Sequence, residues 1–131
     1  MNIHHTGIFV SDLEGTKIFF EEYFGLIAGE KYYNPAKKFS SYMLSSDSGT
    51  SRIEIMSRPD VTERLNKNIH TGIHHISFAV GAENVVDTLA ARLASDGYEV
   101  LDGPRKTGDG FYECCIRGIE GILIEICSES R

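Results

Sequence analysis

Two histidines and two glutamates occur at matching places in the two halves of the chain. His5 lies in the segment I-H-H-T-G-I-F-V and His75 in the segment I-H-H-I-S-F-A-V, 70 residues later. Glu54 follows His5 by 49 residues, and Glu125 follows His75 by 50 residues. Imidazole and carboxylate groups are ligands that Zn, Ni, Fe, Co and Mn accept in proteins. The spacing therefore indicates a divalent-metal site to which each half contributes one His and one Glu.

The surrounding residues predict how these side chains are displayed. Both His-containing segments are short, rich in β-branched and aromatic residues, and alternate in character, which predicts strands. Successive side chains of a strand point to opposite faces. His5 and His75 are therefore the first residues on the face that carries the smaller, more polar side chains. His4 and His74 are predicted to point the other way and to have structural roles near the helices. Each Glu is flanked by isoleucines of the opposite face, where an unpaired carboxylate is costly to desolvate.

A simpler interpretation of the same four residues stays open. A single strand histidine is more often exposed or hydrogen-bonded than metal-bound, and a single mid-strand glutamate usually lies at a solvated edge. In that case each pair is only hydrogen-bonded within its sheet, and the four side chains lie far apart. The repetition of the spacing in both halves favours a shared metal site.

The rest of the sequence predicts the order β-α-β-β-β in each half. Helices are expected at about 12–24, capped by Ser11 with Glu14 three residues on, and at 82–95, with Gly25 and Gly97 as stops. The remaining strands are expected at 26–33, 39–46, 51–57, 98–101, 111–117 and 122–127. We predict one α+β domain over residues 1–131, with a first module at about 3–57, a linker at 58–72 and a second module at about 73–128.

Composition excludes several classes of protein. The formal net charge is −6 and the pI is about 5.3, which argues against nucleic acid and anionic membrane surfaces as partners. No apolar run approaches the length of a spanning helix, and the N-terminus lacks signal-peptide architecture, so a cytoplasmic protein is expected. The three cysteines, Cys114, Cys115 and Cys127, give neither a disulfide framework nor a zinc-finger spacing and are expected to be reduced.

The sequence resembles the vicinal-oxygen-chelate superfamily (glyoxalase, bleomycin resistance protein and dioxygenase) along essentially its whole length. The resemblance is carried by H-T-G-I-F-V-S-D-L from His5, F-F-E-E-Y-F-G-L at 19–26, I-E-I around Glu54, H-I-S-F-A-V from His75, and G-I-E-G-I-L-I-E-I at 118–126. It implies paired βαβββ modules whose curled, mixed sheets form a cup around one divalent metal per site, Zn, Ni, Co, Mn or Fe. The G-I-E-G turn departs from the D-P-x-G of many members.

The ligand pattern narrows the reaction that the resemblance implies. Bacterial glyoxalase I enzymes typically show His, Glu, His and Glu, which here fall on His5, Glu54, His75 and Glu125. Extradiol dioxygenases leave the first carboxylate position unused, coenzyme A epimerases usually carry Gln there, and bleomycin-binding members lack the ligands. The resemblance therefore favours a glyoxalase-like lyase or isomerase. The alternatives are another metal enzyme of the superfamily (an epimerase, thiol transferase or extradiol dioxygenase) or a non-catalytic small-molecule binding or resistance protein.

The resemblance also implies a substrate and a mechanism. The substrate is a small molecule with adjacent oxygens, such as the hemithioacetal of a 2-oxoaldehyde and a low-molecular-weight thiol, converted through a metal-stabilised enediolate. Glu125 is the first choice for the catalytic base and Glu54 the second. Arg105 and Lys106, in a loop predicted at 103–110, are candidates for clamping a substrate carboxylate or holding a lid. The residues that hold glutathione in lactoylglutathione lyases have no evident counterparts, and a homodimer is expected.

Overall fold

The chain divides into two compact units, residues 1–67 and 68–131. The computed structural model describes residues 3–62 and 72–130. Most of the predicted linker at 58–72 lies outside the described residues.

The first unit is a mixed sheet with one helix. Its elements are β1 (Thr6–Phe9), α1 (Leu13–Phe24), β2 (Ile27–Ala28), β3 (Tyr32–Asn34), β4 (Phe39–Ser45) and β5 (Arg52–Ser57). The strand order is β1-β5-β4-β2, with β3 also paired to β4. β1 runs parallel to β5, whereas the other pairs are antiparallel. The first and last strands of the unit are therefore neighbours.

Helix α1 begins at a cap that differs from the predicted one. Asp12, not Ser11, is the N-cap, and its Oδ1 accepts a hydrogen bond of 2.9 Å from the backbone N–H of Gly15. Both Ser11 and Asp12 have a side chain suited to capping. Because the helix begins at Leu13, the residue at the N-cap position is Asp12. The helix ends at Gly25, as predicted, in the left-handed conformation with φ of 62°, which glycine adopts without a Cβ clash.

The single strand predicted at 26–33 is two short strands. Both β2 and β3 pair with β4, through Ala28 opposite Leu44 and Tyr32 opposite Ser41. Four residue steps on the outer chain thus match three steps on β4, so one extra residue interrupts the ladder. The interruption explains why one predicted element appears as two.

The second unit repeats the plan of the first. Its elements are β6 (Ile76–Ala79), α2 (Glu83–Ser95), β7 (Glu99–Lys106), β8 (Tyr112–Arg117), a 3₁₀ turn (Ile119–Gly121) and β9 (Leu123–Cys127). The strand order is β6-β9-β8-β7, and β6 runs parallel to β9. Two mixed sheets, each with one helix between its first and second strands, confirm the predicted α+β class built from βαβββ modules.

Strand β7 is longer than predicted. It continues through a cis peptide bond at Gly103-Pro104 and two register shifts, and pairs with β8 again at Arg105 opposite Glu113. Gly103 has a φ of 80°, and a Cβ there would lie 2.5 Å from the carbonyl oxygen of Glu113. The bulge absorbs the proline, which would otherwise end a strand. The prediction of a loop at 103–110 is therefore wrong for residues 103–106, because β7 continues to Lys106.

Each sheet packs one face against the helix of its own unit. The core consists of fully or largely buried apolar side chains from α1, β4 and β5 in the first unit and from α2, β8 and β9 in the second: Leu13, Phe19, Phe20, Leu44, Ile53, Ile55, Val86, Ala90, Leu93, Cys114, Ile116, Ile124 and Ile126. The alternation of the strands directs Glu54 and Glu125 to the other face of each sheet. Neither α1 nor α2 has the length and apolar character required of a membrane-spanning segment.

Candidate metal centre

In the first unit, His5 and Glu54 face one another at the start of a parallel strand pair. His5 immediately precedes β1, and Gly7 of β1 lies opposite Glu54 of β5 in the ladder. The distance between Nε2 of His5 and Oε2 of Glu54 is 3.5 Å, and the two side chains are 36% and 24% exposed. The carboxylate thus has an imidazole beside it and remains open to solvent on one side.

The second unit repeats this geometry almost without change. His75 precedes β6, and Ser77 of β6 lies opposite Glu125 of β9. The distance between Nε2 of His75 and Oε2 of Glu125 is 3.6 Å. In addition, the hydroxyl of Ser77 donates a hydrogen bond of 2.7 Å to Oε1 of Glu125. This hydroxyl holds one carboxylate oxygen and leaves the other on the side of His75. Gly7, the counterpart of Ser77, has no side chain to do the same for Glu54.

The donor atoms of each pair fit a divalent cation. Two ligands about 2.1 Å from a metal, at the tetrahedral angle, lie about 3.4 Å apart, close to the 3.5 Å and 3.6 Å observed. One imidazole nitrogen and one carboxylate oxygen suit Zn, Ni, Co, Mn and Fe. Across residues 3–62 and 72–130, no group of three or more His, Cys, Asp or Glu is close enough to hold a metal. Each half therefore places one imidazole nitrogen beside one carboxylate oxygen, and the binding of a metal by these four side chains stays a prediction.

His4 and His74 contact the histidines that follow them in sequence. Nδ1 of His4 is 2.9 Å from Nδ1 of His5, and Nδ1 of His74 is 3.0 Å from Nδ1 of His75. Their predicted place near the helices stays a prediction. The contacts arise because both histidine pairs precede their strands, which begin at Thr6 and Ile76, so strand alternation does not apply to them. Each candidate ligand thus rests against the histidine before it in sequence.

The open face of the second sheet also carries a further acid, Glu113, which the sequence pattern did not single out. Glu113 of β8 lies opposite Cys127, while Cys115 lies opposite Glu125, so the two glutamates are diagonal neighbours on one face. Burial raises the pKa of Glu113, and the negative charge of Glu125 raises it further. The alternation of side chains in β8 indicates that Glu113 and Cys115 share a face. Placing Glu113 beside Glu125 also requires the register between β8 and β9, which a single sequence does not give.

Two of the cysteines, Cys114 and Cys115, are protonated thiols at neutral pH. Burial raises the pKa of Cys115, with a further contribution from the charge of Glu125. Burial raises the pKa of Cys114, on the helix-covered face, to about 11. All three cysteines are free. Because the thiolate is the nucleophile and metal ligand, Cys114 and Cys115 are poorly suited to either role.

The two predicted substrate-binding cations lie on opposite faces of β7. Arg105 is opposite Glu113, and therefore on the same face as Glu125. Its guanidinium donates to Asp102, which lowers the pKa of that carboxyl and raises that of Arg105. Lys106 lies 4.0 Å from Glu83 of α2, on the helix side of the sheet. The structure thus brings Arg105, but not Lys106, to the face that carries Glu125.

The open face of the first sheet is more apolar than that of the second. Phe9, Met43 and Met56 share it with Glu54, and Phe9 is 50% exposed. A Cβ at Gly7 would lie 3.0 Å from Cε of Met56, so the glycine leaves room for this methionine. A cavity of about 260 Å³ is lined by Phe9, Arg58, Asp60, Val61 and Thr62. This face offers an apolar surface next to the carboxylate.

The comparisons with known proteins agree with this architecture. Residues 2–126 match the glyoxalase/bleomycin resistance protein/dioxygenase superfamily. The chain is 25% identical over 131 residues to YqjT of Bacillus subtilis strain 168, covering 98% of this chain and 99% of that protein. A glyoxalase family protein from Bacillus cereus is 23% identical with a TM-score of 0.84, and the match covers 100% of this chain and 95% of that one. Glyoxalase I from Zea mays is 21% identical with a TM-score of 0.80, and the match covers 99% of this chain and 45% of that one. The chain belongs to the glyoxalase/bleomycin resistance protein/dioxygenase superfamily.

Proposed function

We propose that His5, Glu54, His75 and Glu125 together hold one divalent cation, and that the protein is a glyoxalase-like lyase or isomerase. The substrate is a small molecule with adjacent oxygens, of the kind formed by a 2-oxoaldehyde and a low-molecular-weight thiol. The observation that carries the proposal is the repetition of one His–Glu pair, at nearly equal distances, in two units of the same strand order. Similarity to glyoxalase I of Zea mays supports the choice of reaction.

The geometry of the second half favours Glu125 as the base. When bound by these residues, a divalent cation would supply Lewis acidity that lowers the pKa of a C–H bond next to a substrate carbonyl. Glu125 would take the proton from that carbon as the C–H electron pair shifts toward the carbonyl oxygen, and it would return the proton to the former carbonyl carbon. The hydroxyl proton of the first carbon would move to the former carbonyl oxygen, which leaves a new carbonyl at the first carbon. The hydroxyl of Ser77 donates a hydrogen bond to Oε1 of Glu125, which would hold the carboxylate in one orientation for both transfers. A base held in one orientation needs less reorganisation at each step.

The surfaces around the pairs favour a substrate with two different ends. The face that carries Glu54 is lined by Phe9, Met43 and Met56, which suit an apolar group. The face that carries Glu125 has Arg105, whose guanidinium can bind a carboxylate. We propose Arg105 as the residue that holds an anionic group of the substrate or of the thiol.

Metal content is the first test of the proposal. Protein purified without chelator is expected to hold about one divalent metal per chain, measured by elemental analysis. His75→Ala is expected to lose most of it, whereas His70→Ala, which removes a histidine outside the four, is expected to retain it. Equal metal content in both variants would refute the ligand assignment.

Activity is the second test. The metal-loaded protein is screened with several 2-oxoaldehydes and thiols, with isomerisation followed by absorbance and oxygen uptake measured in parallel. Glu125→Gln is expected to abolish turnover, whereas Glu99→Gln, a change to an exposed carboxylate paired with Arg117, is expected to leave it intact. Full turnover by the Glu125→Gln variant would contradict its role as the base, and oxygen consumption would indicate dioxygenase chemistry instead.

We also propose that the active form is a homodimer, as in related enzymes. Sedimentation of the metal-loaded protein measures its mass directly. If each site takes one pair from each of two chains, mixing His5→Ala with His75→Ala is expected to restore part of the activity, because one site of each hybrid is then complete. A monomeric, fully active protein would refute the proposal.

A further inference from the structure

The two His–Glu pairs differ in what lies behind their histidines. In the first unit, Nη1 of Arg52 is 2.8 Å from Nε2 of His4, and Nε of Arg52 donates to the carbonyl oxygen of Gly49. Arg52 lies two residues before Glu54. The residue two before Glu125 is Leu123, which has no hydrogen-bond donor in its side chain. An arginine therefore engages the histidine pair of the first half at a position where the second half has leucine.

The direction of the hydrogen bonds in the first half follows from the chemistry of arginine. A guanidinium only donates, so Nε2 of His4 must accept and carries no proton. A neutral His4 then has its proton on Nδ1, which faces Nδ1 of His5 at 2.9 Å. Nδ1–H of His4 therefore donates a hydrogen bond, and Nδ1 of His5 must accept it. The proton of a neutral His5 is consequently on Nε2, the atom that faces Glu54.

We propose that Arg52 holds the His4–His5 pair in this tautomer, so that the first half binds a metal more weakly than the second. The inference rests on the proposed metal site. A metal ligand needs a free electron pair on Nε2, and moving the proton of His5 to Nδ1 would set two N–H groups against each other at 2.9 Å. His4 would then have to abandon its hydrogen bond with Arg52. In the second half, Leu123 imposes no direction on the pair of His74 and His75.

The tautomers are measured directly on the metal-free protein. At about pH 8.5, above the range in which imidazoles usually titrate, two-bond ¹H–¹⁵N correlation spectra distinguish Nδ1–H from Nε2–H. We expect Nδ1–H for His4 and Nε2–H for His5, and a mixture for His4 in Arg52→Leu. Nε2–H on His4 in the wild-type protein would overturn the proposal. This measurement requires neither metal nor activity, so it is independent of the proposed function.

Zinc titration tests the consequence for binding. Loss of one opposing hydrogen bond is expected to tighten Zn²⁺ binding by roughly three- to tenfold in Arg52→Leu. The matched control is Arg117→Leu, which removes the same charge from an arginine paired with Glu99. Titration in about 0.5 M NaCl suppresses the simple repulsion between Arg52 and the cation, whereas the tautomeric effect persists.

The outcomes separate the two proposals. Equal affinity of the Arg52→Leu and Arg117→Leu proteins at high salt would overturn the inference about Arg52. The expected tautomers together with no zinc binding by any variant would uphold the arrangement of the histidines and refute the proposed metal site. Circular dichroism of each variant checks that the fold is retained.

Discussion

Replacing Ser77 by alanine tests whether Glu125 is a prepared metal ligand. The hydroxyl of Ser77 donates a hydrogen bond of 2.7 Å to Oε1 of Glu125, whose side chain is 24% exposed. Because this hydrogen bond is already present without a metal, its effect on binding comes from holding the ligand in place. Removing such a partner of a metal ligand typically lowers metal affinity about 10–100-fold. We expect the lower end of that range, about tenfold, in Ser77→Ala, because the carboxylate is partly exposed.

The assay is a competition titration with a chromophoric zinc chelator on purified wild-type and variant proteins. Ala79→Ser is the matched control, because Ala79 is an exposed residue of the same strand and face. Ser77 is itself exposed, so its replacement is expected to change the free energy of unfolding by less than about 0.5 kcal/mol. An unchanged zinc affinity in Ser77→Ala, with the fold intact, would refute the role assigned to the hydroxyl.

The reciprocal change can be made in the first half. Gly7→Ser places a hydroxyl opposite Glu54, at the position that corresponds to Ser77. The new Cβ would lie 3.0 Å from Cε of Met56, the flexible end of a side chain that is able to move. We expect zinc binding to tighten by a few-fold, because Glu54 gains the hydrogen bond that Glu125 already has. Weaker binding in a correctly folded variant would show that the two carboxylates do not respond alike.

Three predictions concern stability. Asp12→Ala removes the cap of α1 and is expected to cost about 1 kcal/mol in chemical unfolding, whereas Asp12→Asn keeps an accepting side chain and is expected to cost less. Gly103→Ala is expected to lower the free energy of unfolding by more than about 2 kcal/mol, because its Cβ would meet the backbone of Glu113. The control is Gly108→Ala, since Gly108 has open space around it. Equal stability of the two variants would contradict this reasoning. The Cys114 thiol stays protonated in the fold, with a pKa raised from 9.0 to about 11, while the unfolded chain ionises. The contribution of Cys114 to the free energy of unfolding is therefore complete below pH 9, and it falls by up to about 2–3 kcal/mol as the pH rises from about 9 to about 11. A Cys114→Ala protein that loses as much stability over this pH range would contradict the raised pKa of Cys114.

The repeated spacing of His and Glu was enough to predict both pairs from the sequence. The alternation of side chains placed Glu54 and Glu125 on the faces opposite the isoleucines, and the duplicated βαβββ order predicted the two sheets. These features depend on local pattern, which a sequence contains in full.

Other parts of the site depend on information that local pattern does not contain. The contact of His4 with His5 follows from the late start of β1 at Thr6, and strand ends are poorly defined by propensity. The faces of Arg105 and Glu113 follow from a bulge at Gly103 that keeps β7 paired beyond a proline. Ser11 and Asp12 were equally suited to capping α1, and the path of the chain selected Asp12.

The parallel pairing of first and last strands within each unit has a consequence for how such a protein can change over evolutionary time. Each half completes its ladder with its own strands, so a mutation that alters one ladder leaves the other intact. One half can retain its original ligand preference while mutations in the other half produce a new one. We expect descendants of this chain to differ most in whichever half has acquired the new specificity, rather than evenly along their length.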